Sequence, residues 1–276
     1  MRQRAISAAV LVPVLLLVLA IGGPLLAGAV ALVTTLAAFE VFRLLKAAGY
    51  PALPALGTAL ALAVVVDAAF PGLLEGSGLL LGAIGIVLAA VAAFARPDPH
   101  DGLAAWMATI FGAVYVSLLA FVLRLGHSAP AVPVDAPAAW LGAERAWILL
   151  LVLGVWSYDT GAYLVGKRLG RTRFLAHISP SKTIEGLIGG VVAATAVVGL
   201  VLWAVGQMPI HALILGPLLA GAAQTGDLAE SMIKRAAGVS DSGTLIPGHG
   251  GILDRVDSFL FAAPVLTLYV LAAFRQ

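Results

Sequence analysis

The chain has 276 residues, of which 61% are apolar and 11% charged, and its mean hydropathy is +1.05. A soluble domain is nearer half apolar, so this composition excludes a single water-soluble globule and indicates a bilayer as the solvent. The net charge of only +2 gives no reason to expect a nucleic-acid partner, and the lack of cysteine excludes disulfides and thiolate metal sites. Continuous Leu/Ala/Val runs indicate membrane helices rather than the alternating strands of a membrane β-barrel.

Apolar windows of spanning length predict an all-α polytopic integral membrane protein with about nine transmembrane helices. The predicted helices cover residues 5–21, 24–45, 52–70, 77–95, 102–125, 146–166, 184–206, 209–235 and 252–274. Residues 126–145, rich in Gly, Pro, Asp and Ala, are predicted to form an external linker. We expect residues 1–125 to be a scaffold with a role in lipid entry. We expect residues 146–276 to carry the chemistry, because residues 1–125 have few charges inside helices, chiefly Glu40, Arg43 and Asp67, whereas residues 146–276 hold seven of the 14 carboxylates.

The distribution of cations predicts a cytoplasmic N-terminus. With that orientation, only Arg124, Arg145 and Arg275 of the 16 Lys and Arg residues lie outside. Cytoplasmic loops of membrane proteins carry the excess of Lys and Arg, so the orientation agrees with this rule. Met1-Arg2-Gln3-Arg4 and the apolar run after it are interpreted as an uncleaved first helix, because further spans follow at once.

The sixth predicted helix carries the polar stretch SYDTGAYLVGKRLGRTRF. Asp159 lies inside an apolar run there, and a carboxylate in a membrane helix is a functional candidate by default. Lys167, Arg168, Arg171 and Arg173 follow; as an alternative to a functional role, these cations only set the topology. In the next segment, ISPSKTIEG, Ser179 is predicted to cap a helix with Pro180 at its first position. Lys182 would then stand in the first turn, beside the free N–H groups that bind anions.

The eighth predicted helix starts apolar and ends QTGDLAESMIKR. On a helical wheel its polar residues fall within roughly 140° of one face, which must therefore meet protein, water or a ligand. They are Gln224, Asp227, Glu230, Ser231, Lys234 and Arg235. The alternative is an ordinary cytoplasmic helix end with a Glu230–Lys234 pair, but Asp227 lies too deep for that.

The ninth predicted helix begins at GHGGILDRVDSFLF, residues 248–261. Gly250 and Gly251 allow the backbone to approach another group closely. Asp254 and Asp257 are one turn apart, and one acidic residue would suit the helix dipole. The dipole does not explain His249, Arg255 and a second carboxylate together.

These residues combine carboxylates with clustered cations. Carboxylates without thiolates suit Mg²⁺ or Mn²⁺ rather than zinc, and cations suit phosphate. Phosphoryl and nucleotidyl transfer require both, because catalysis there is mainly positioning and charge stabilisation. Two carboxylates from different helices could hold ions that bridge substrate phosphates.

The segment SMIKRAAGVSDSGTLIPGHGGILDRVDS closely resembles the signature of the phosphatidate cytidylyltransferases, the CDP-diacylglycerol synthases. DTGAYLVGKRLG, ISPSKTIEG and QTGDLAES are similar to other blocks of that family, so the motifs span residues 159–257. One departure is Ser240, because the family commonly has Lys immediately before the aspartate at this place. That difference puts in doubt any triphosphate contact there.

The resemblance implies conversion of CTP and phosphatidate to CDP-diacylglycerol and pyrophosphate. It also implies Mg²⁺ with a monovalent cation such as K⁺, a homodimer, and a multi-pass protein of the bacterial inner membrane whose active site faces the cytoplasm. By position, Asp227 and Asp254 match the metal-site carboxylates. The other residues expected to be catalytic are Lys182, Lys234, Arg235 and Arg255. The residues expected to bind substrate are Asp159, Lys167, Arg171, Ser179, Ser181, Glu230, Ser231, Asp241, His249, Gly250, Gly251 and Asp257.

Two other functions stay open at this stage. A cation-coupled transporter could use Asp159 and Asp227 as ion sites, although the ionisable residues concentrate at the predicted cytoplasmic helix ends. A CDP-alcohol phosphotransferase is suggested by DGLAAW at 101–106. Trp106 stands where that motif has Arg, however, and the later Gly-x-x-x-Asp-x-x-x-Asp segment is absent.

Overall fold

The computed structural model describes residues 2–72, 78–246, 248 and 250–274. The regular structure of these residues is helical. The helices are α1 (Arg2–Ile21), α2 (Gly23–Ala47), α3 (Pro54–Ala69), α4 (Gly78–Ala93), α5 (Pro99–Ser117), α6 (Ala120–His127), α7 (Gly142–Leu169), α8 (Ile184–Ala204), α9 (Ala212–Ala236) and α10 (Leu253–Ala273). Short 3₁₀ turns, Ala139–Leu141 and Pro209–His211, precede α7 and α9. Two isolated β-bridges, Arg173–Thr183 and Ile246–Gly250, tie loops together.

The helices follow the predicted apolar windows closely. Prolines in the first turn of α2, α3 and α5 explain where these helices begin, because proline needs no N–H partner there. The window at 102–125 is broken, since α5 and α6 meet at an angle of 40°.

The described helices include five that are long and apolar enough to cross a bilayer, or six if α5 and α6 form one bent span. They are Gly23–Ala47, Ala139–Leu169, Ile184–Ala204, Pro209–Ala236 and Leu253–Ala273. Shorter apolar helices cover Ala9–Ile21, Pro54–Ala69 and Leu80–Ala93. This is the architecture of a polytopic α-helical membrane protein, while the total of nine spans and the cytoplasmic N-terminus stay predictions.

The chain divides into two compact units. The first unit is Met1–Leu123 with Met232–Val256, and the second is Arg124–Ser231 with Asp257–Gln276. The segment Met232–Val256, which contains Lys234, Asp241 and Asp254, therefore belongs with the N-terminal helices.

The first unit is built around the buried ring of Phe42 on α2. Gly57 of α3 and Gly112 of α5 lie so close to this ring that a Cβ at either position would overlap it. Dense packing of this kind makes a substitution costly, because interiors have little free volume. It fixes the part of α2 that carries Glu40 and Arg43.

In the second unit, α7 packs along α8 through small residues. Gly161 lies against Ala193 and the backbone of Gly189, and Gly190 lies against Tyr158. Small residues let membrane helices approach closely, which is how such helices associate without a hydrophobic driving force. This packing fixes Tyr158 of α7, which is 1% exposed.

Candidate active site

In the first unit, the centre of the polar cluster is Asp254, in the first turn of α10. Its Oδ2 atom accepts hydrogen bonds from Gly251 N at 2.8 Å, Ser242 N at 3.0 Å and Ser242 Oγ at 2.8 Å. Its Oδ1 atom lies 2.6 Å from Lys234 Nζ. The Asp254 and Lys234 side chains are only 7% and 11% exposed, so the pair is held away from solvent. Ion pairs of this kind are retained where their geometry is good and further hydrogen bonds satisfy the carboxylate.

Described residues between α9 and α10 contact a carboxylate from outside the recognised motifs. Glu40 of α2 is 7% exposed and accepts hydrogen bonds from Ile252 N at 3.0 Å and Leu253 N at 2.8 Å. The Ser242 hydroxyl lies 2.9 Å from Glu40 Oε2. One turn further along α2, Arg43 donates to the carbonyl oxygen of Ser242. Two side chains of α2 thus hold this loop at Ser242 and at its junction with α10.

Steric contacts explain why glycine occupies three positions of the loop. A Cβ at Gly251 would overlap Ser242 Oγ and the Glu40 carboxylate, and a Cβ at Gly243 would overlap Glu40. Gly250 has φ +80° and its Cβ would lie 2.6 Å from Asp254 Oδ2. The predicted close approach at Gly250 and Gly251 is confirmed, and the groups approached are the Asp254 and Glu40 carboxylates. Contact of these glycines with substrate stays a prediction.

A cavity of about 610 Å³ adjoins the same loop. Its lining includes Arg43 and the exposed Asp241 beside residues of the loop. Ser240 Oγ donates to Asp241 Oδ2 at 2.7 Å and so orients this carboxylate. The cavity offers donors and an acceptor to a polar ligand.

In the second unit, Lys182 and Asp227 form an ion pair. Lys182 Nζ lies 2.7 Å from Asp227 Oδ2, and the side chains are 25% and 28% exposed. One turn before Asp227 on α9, the buried Gln224 accepts a hydrogen bond from the hydroxyl of Tyr158. The structure thus brings together two predicted functional residues that lie 45 positions apart in the sequence.

The prediction that Ser179 caps the helix after the 170–183 loop is wrong. The N-cap of α8 is Thr183, whose Oγ1 accepts from Gly186 N at 3.2 Å. Residues 182–184 are held extended against 172–174, through Phe174 N to Lys182 O at 3.3 Å and Ile184 N to Thr172 O at 2.9 Å. Because this pairing excludes a helical conformation, α8 starts later and Lys182 precedes its cap rather than standing in the first turn.

Glu185, in the first turn of α8, closes the same loop. Its carboxylate accepts from Arg171 N at 3.0 Å and from Thr172 N at 3.1 Å. These bonds fix the backbone of Arg171, whose side chain is exposed. The loop is therefore ordered by backbone contacts, and its cationic side chains are free to face solvent.

The remaining predicted residues are distributed over both units. In the second unit, Asp159 is exposed on α7, Lys167 lies 5.6 Å from the Tyr163 ring centroid, Ser181 is exposed, and Ser179, Glu230, Ser231 and Asp257 are buried. In the first unit, Arg255 is exposed, and Arg235 donates to Val239 O at 3.3 Å at the end of α9. His249 lies outside the described residues.

The two candidate metal ligands, Asp227 and Asp254, each bind a cation of the chain itself. The donor at each is an ammonium group at 2.7 Å and 2.6 Å respectively. No group of three or more His, Asp or Glu side chains that could hold a metal occurs among the residues described. Mg²⁺ is usually bound through one or two carboxylates with waters and substrate phosphates, so either carboxylate fits that ion.

Sequence reasoning missed Glu40, Arg43 and Ser242 as parts of the site. The available signal was the position of Glu40 and Arg43 inside an apolar helix, where ionisable side chains are expensive and point to function. Nothing in the local pattern identified their partners, because Glu40 and Ser242 are 202 residues apart.

The fold and these clusters define a class of polytopic membrane protein. Its polar residues are carboxylates paired with lysines beside ordered loops, and their chemistry suits the binding of phosphate and metal. The profile of the Cytidylyltransferase family matches residues 2–273. The chain therefore belongs to the cytidylyltransferase family, and as such is a nucleotidyltransferase.

Individual relatives agree with this assignment. The chain is similar to the phosphatidate cytidylyltransferase of Synechocystis sp., with 36% identity over an alignment that covers 97% of this chain and 96% of that protein. It is 47% identical to the phosphatidate cytidylyltransferase of Bacillus subtilis over 131 residues, which cover 46% of this chain and 48% of that protein. The corresponding Staphylococcus haemolyticus protein is 45% identical over 127 residues.

Proposed function

We propose that the protein transfers the cytidylyl group of CTP to phosphatidate. A phosphate oxygen of phosphatidate attacks the α-phosphorus of CTP, and a new P–O bond forms. The bond between the α-phosphorus and the oxygen bridging to the β-phosphate breaks, so pyrophosphate leaves and CDP-diacylglycerol remains. The attacking oxygen already carries negative charge, and the step therefore needs no strong general base.

The observation that carries the proposal is similarity to a phosphatidate cytidylyltransferase along almost the whole chain. The chemistry of the polar clusters supports it, because the carboxylates and cations are those that nucleotidyl transfer requires. Family membership gives no support to the transporter alternative, and the exposed position of Asp159 adds none.

The roles of individual residues follow from their surroundings. Lys182 and Lys234 are proposed to attract and orient the phosphates, and Arg235 and Arg255, both exposed, to neutralise the departing pyrophosphate. Mg²⁺, with a monovalent cation such as K⁺, would neutralise phosphate charge when bound at Asp227 or Asp254. The residues proposed to contact substrate remain Asp159, Lys167, Arg171, Ser179, Ser181, Glu230, Ser231, Asp241, His249, Gly250, Gly251 and Asp257.

The cellular setting is also part of the proposal. A multi-pass protein that uses a water-soluble nucleotide and a lipid must meet both, which favours a site at the membrane–cytoplasm boundary of the bacterial inner membrane. A homodimer is proposed as the assembled form.

The experiment is an assay of purified protein in detergent micelles that contain phosphatidate. Labelled CTP is supplied with Mg²⁺ or with EDTA, and lipid-linked cytidylate and pyrophosphate are measured together. We expect equal amounts of both products, dependence on Mg²⁺, and no product when phosphatidate is replaced by diacylglycerol. Asp254→Ala should abolish turnover, whereas Asp135→Ala, which changes an exposed carboxylate of the 126–145 segment, should not. Folded parent protein that forms no product under these conditions would overturn the proposal.

A further inference from the structure

We propose that Glu40, which belongs to none of the recognised motifs, is the positioning residue that sets the geometry of Asp254. The inference rests on the proposed function for its kinetic part and on the geometry of the first unit for its structural part. The chain of contacts is short: Glu40 binds the Ser242 hydroxyl, and this hydroxyl binds Asp254. Each of the three side chains is largely buried.

Glu40 contacts the backbone at the start of α10 as well as the Ser242 hydroxyl. Its two oxygens receive two backbone N–H groups at the start of α10, from Ile252 and Leu253. The first N–H groups of a helix have no partner within the helix, so an acidic group from elsewhere in the fold stabilises this end. Glu40 therefore fixes the turn of α10 that carries Asp254.

The Ser242 hydroxyl lies between the Glu40 and Asp254 carboxylates. Ser242 Oγ lies 2.9 Å from Glu40 Oε2 and 2.8 Å from Asp254 Oδ2. A hydroxyl has one proton and can donate to only one carboxylate at a time, so the orientation of this group links the two acids. Ser242 is 0% exposed, which keeps water from replacing it.

The loop backbone packs closely against the Glu40 carboxylate. Gly243 and Gly251 are both too close to Glu40 for any side chain, so the backbone encloses this carboxylate from two sides. The same glycine, Gly251, donates its N–H to Asp254 Oδ2 at 2.8 Å. A shift of the Gly251 backbone against Glu40 would therefore displace a hydrogen-bond donor of Asp254.

Two cations lie beside the carboxylates that share the Ser242 hydroxyl, and one of them contacts a carboxylate directly. Lys234 binds Asp254, and Arg43, on the same helix as Glu40, binds the Ser242 carbonyl. When a group that orients a metal-binding carboxylate is substituted, metal affinity or activity typically falls about 10- to 100-fold.

The test uses Glu40→Gln, which keeps the size of the side chain but has one acceptor oxygen where the carboxylate has two. We expect kcat to fall about 10- to 100-fold and the midpoint of Mg²⁺ activation to rise, with unchanged membrane insertion. Direct Mn²⁺ binding to the protein without CTP should weaken in parallel. Hydrogen exchange of the amides of Ile252 and Leu253 should accelerate, and this readout does not depend on activity.

Asp67→Asn is the matched control, because Asp67 is a buried carboxylate of the same unit that lies on α3. It should lower thermal stability without changing the Mg²⁺ midpoint or exchange at Ile252 and Leu253. Ser242→Ala should resemble Glu40→Gln, and the double variant should be no worse than the more severe single one, because the two residues act along one path.

A folded Glu40→Gln protein with parental exchange, Mn²⁺ binding and Mg²⁺ midpoint overturns the inference. So does a Glu40→Gln effect that simply adds to that of Ser242→Ala. If the parent forms no CDP-diacylglycerol, the proposed function fails on its own, and the exchange and Mn²⁺ measurements still decide the role of Glu40.

Discussion

Lys234 Nζ lies 2.6 Å from Asp254 Oδ1, and this pair joins the end of α9 to the start of α10. The intervening loop is long and glycine-containing, yet both side chains are nearly buried. Removal of one partner of a buried ion pair is strongly destabilising, because the remaining charge is left unpaired in a poorly solvated place. The pair therefore links the two helices that flank the loop. It also keeps the Lys234 ammonium group on a carboxylate that is proposed to bind metal.

Lys234→Met should lower the free energy of unfolding by about 3 kcal/mol, because Asp254 loses its counter-charge. Mg²⁺ should restore part of this stability in the variant and less in the parent, since the ion replaces the missing ammonium. Thermal unfolding with increasing Mg²⁺ measures both effects. Lys46→Met, at an exposed lysine near the end of α2, is the control and should be neutral. Equal Mg²⁺ stabilisation of variant and parent would remove Asp254 from the metal site.

Lys182→Ala tests the pair in the second unit. Lys182 and Asp227 are about a quarter exposed, so their contribution to stability should be small, at most about 1 kcal/mol. Loss of a charged donor to phosphate should instead raise the KM for CTP about tenfold or more. Steady-state kinetics at saturating phosphatidate, beside a thermal unfolding curve, separate the two. If the kinetics equal those of the parent, Lys182 has only a structural role.

Hydropathy predicted the helix positions because a membrane helix needs about 20 predominantly apolar residues in succession, a property visible in a window of the sequence. The same physics located the polar residues of α9 and α10. It could not predict that Glu40 contacts Ser242 and Leu253, since such contacts depend on how α2 packs around Phe42. A local pattern has no information about a partner 213 residues away.

The error at Ser179 has a different origin. Ser179, Ser181 and Thr183 can all accept a hydrogen bond at a helix N-terminus, so the segment ISPSKTIEG allows several start points. The choice is made by the backbone pairing of residues 182–184 with 172–174, which no capping rule includes. The sequence therefore predicted that a hydroxyl side chain caps this helix, but not which residue supplies it.

Thr183→Ala tests the corrected start of α8. Removal of an N-cap hydroxyl costs about 1 kcal/mol, so this variant should lower the unfolding temperature measurably. Ser179→Ala should have a smaller effect on stability, because Ser179 does not cap the helix. Thermal unfolding of both proteins under the same detergent conditions makes the comparison. A larger loss for Ser179→Ala would return the cap to Ser179 and contradict the arrangement described for this loop.

Gly251→Ala tests whether the loop must enclose Glu40 as closely as the structure indicates. The added methyl group would overlap Ser242 Oγ and the Glu40 carboxylate, so the loop must shift. Overpacking of this kind typically costs about 1–3 kcal/mol, and the shift should also displace the N–H that Gly251 donates to Asp254. We therefore expect lower stability together with a large loss of turnover.

Gly221→Ala is the matched control, because a Cβ at this position on α9 meets nothing within 4 Å. Alanine is favoured over glycine in a helix by up to about 1 kcal/mol, so the control should be neutral or slightly stabilising. Unfolding temperature and turnover are measured for both variants. A Gly251→Ala protein as stable and as active as the control would contradict the close packing of the loop against Glu40.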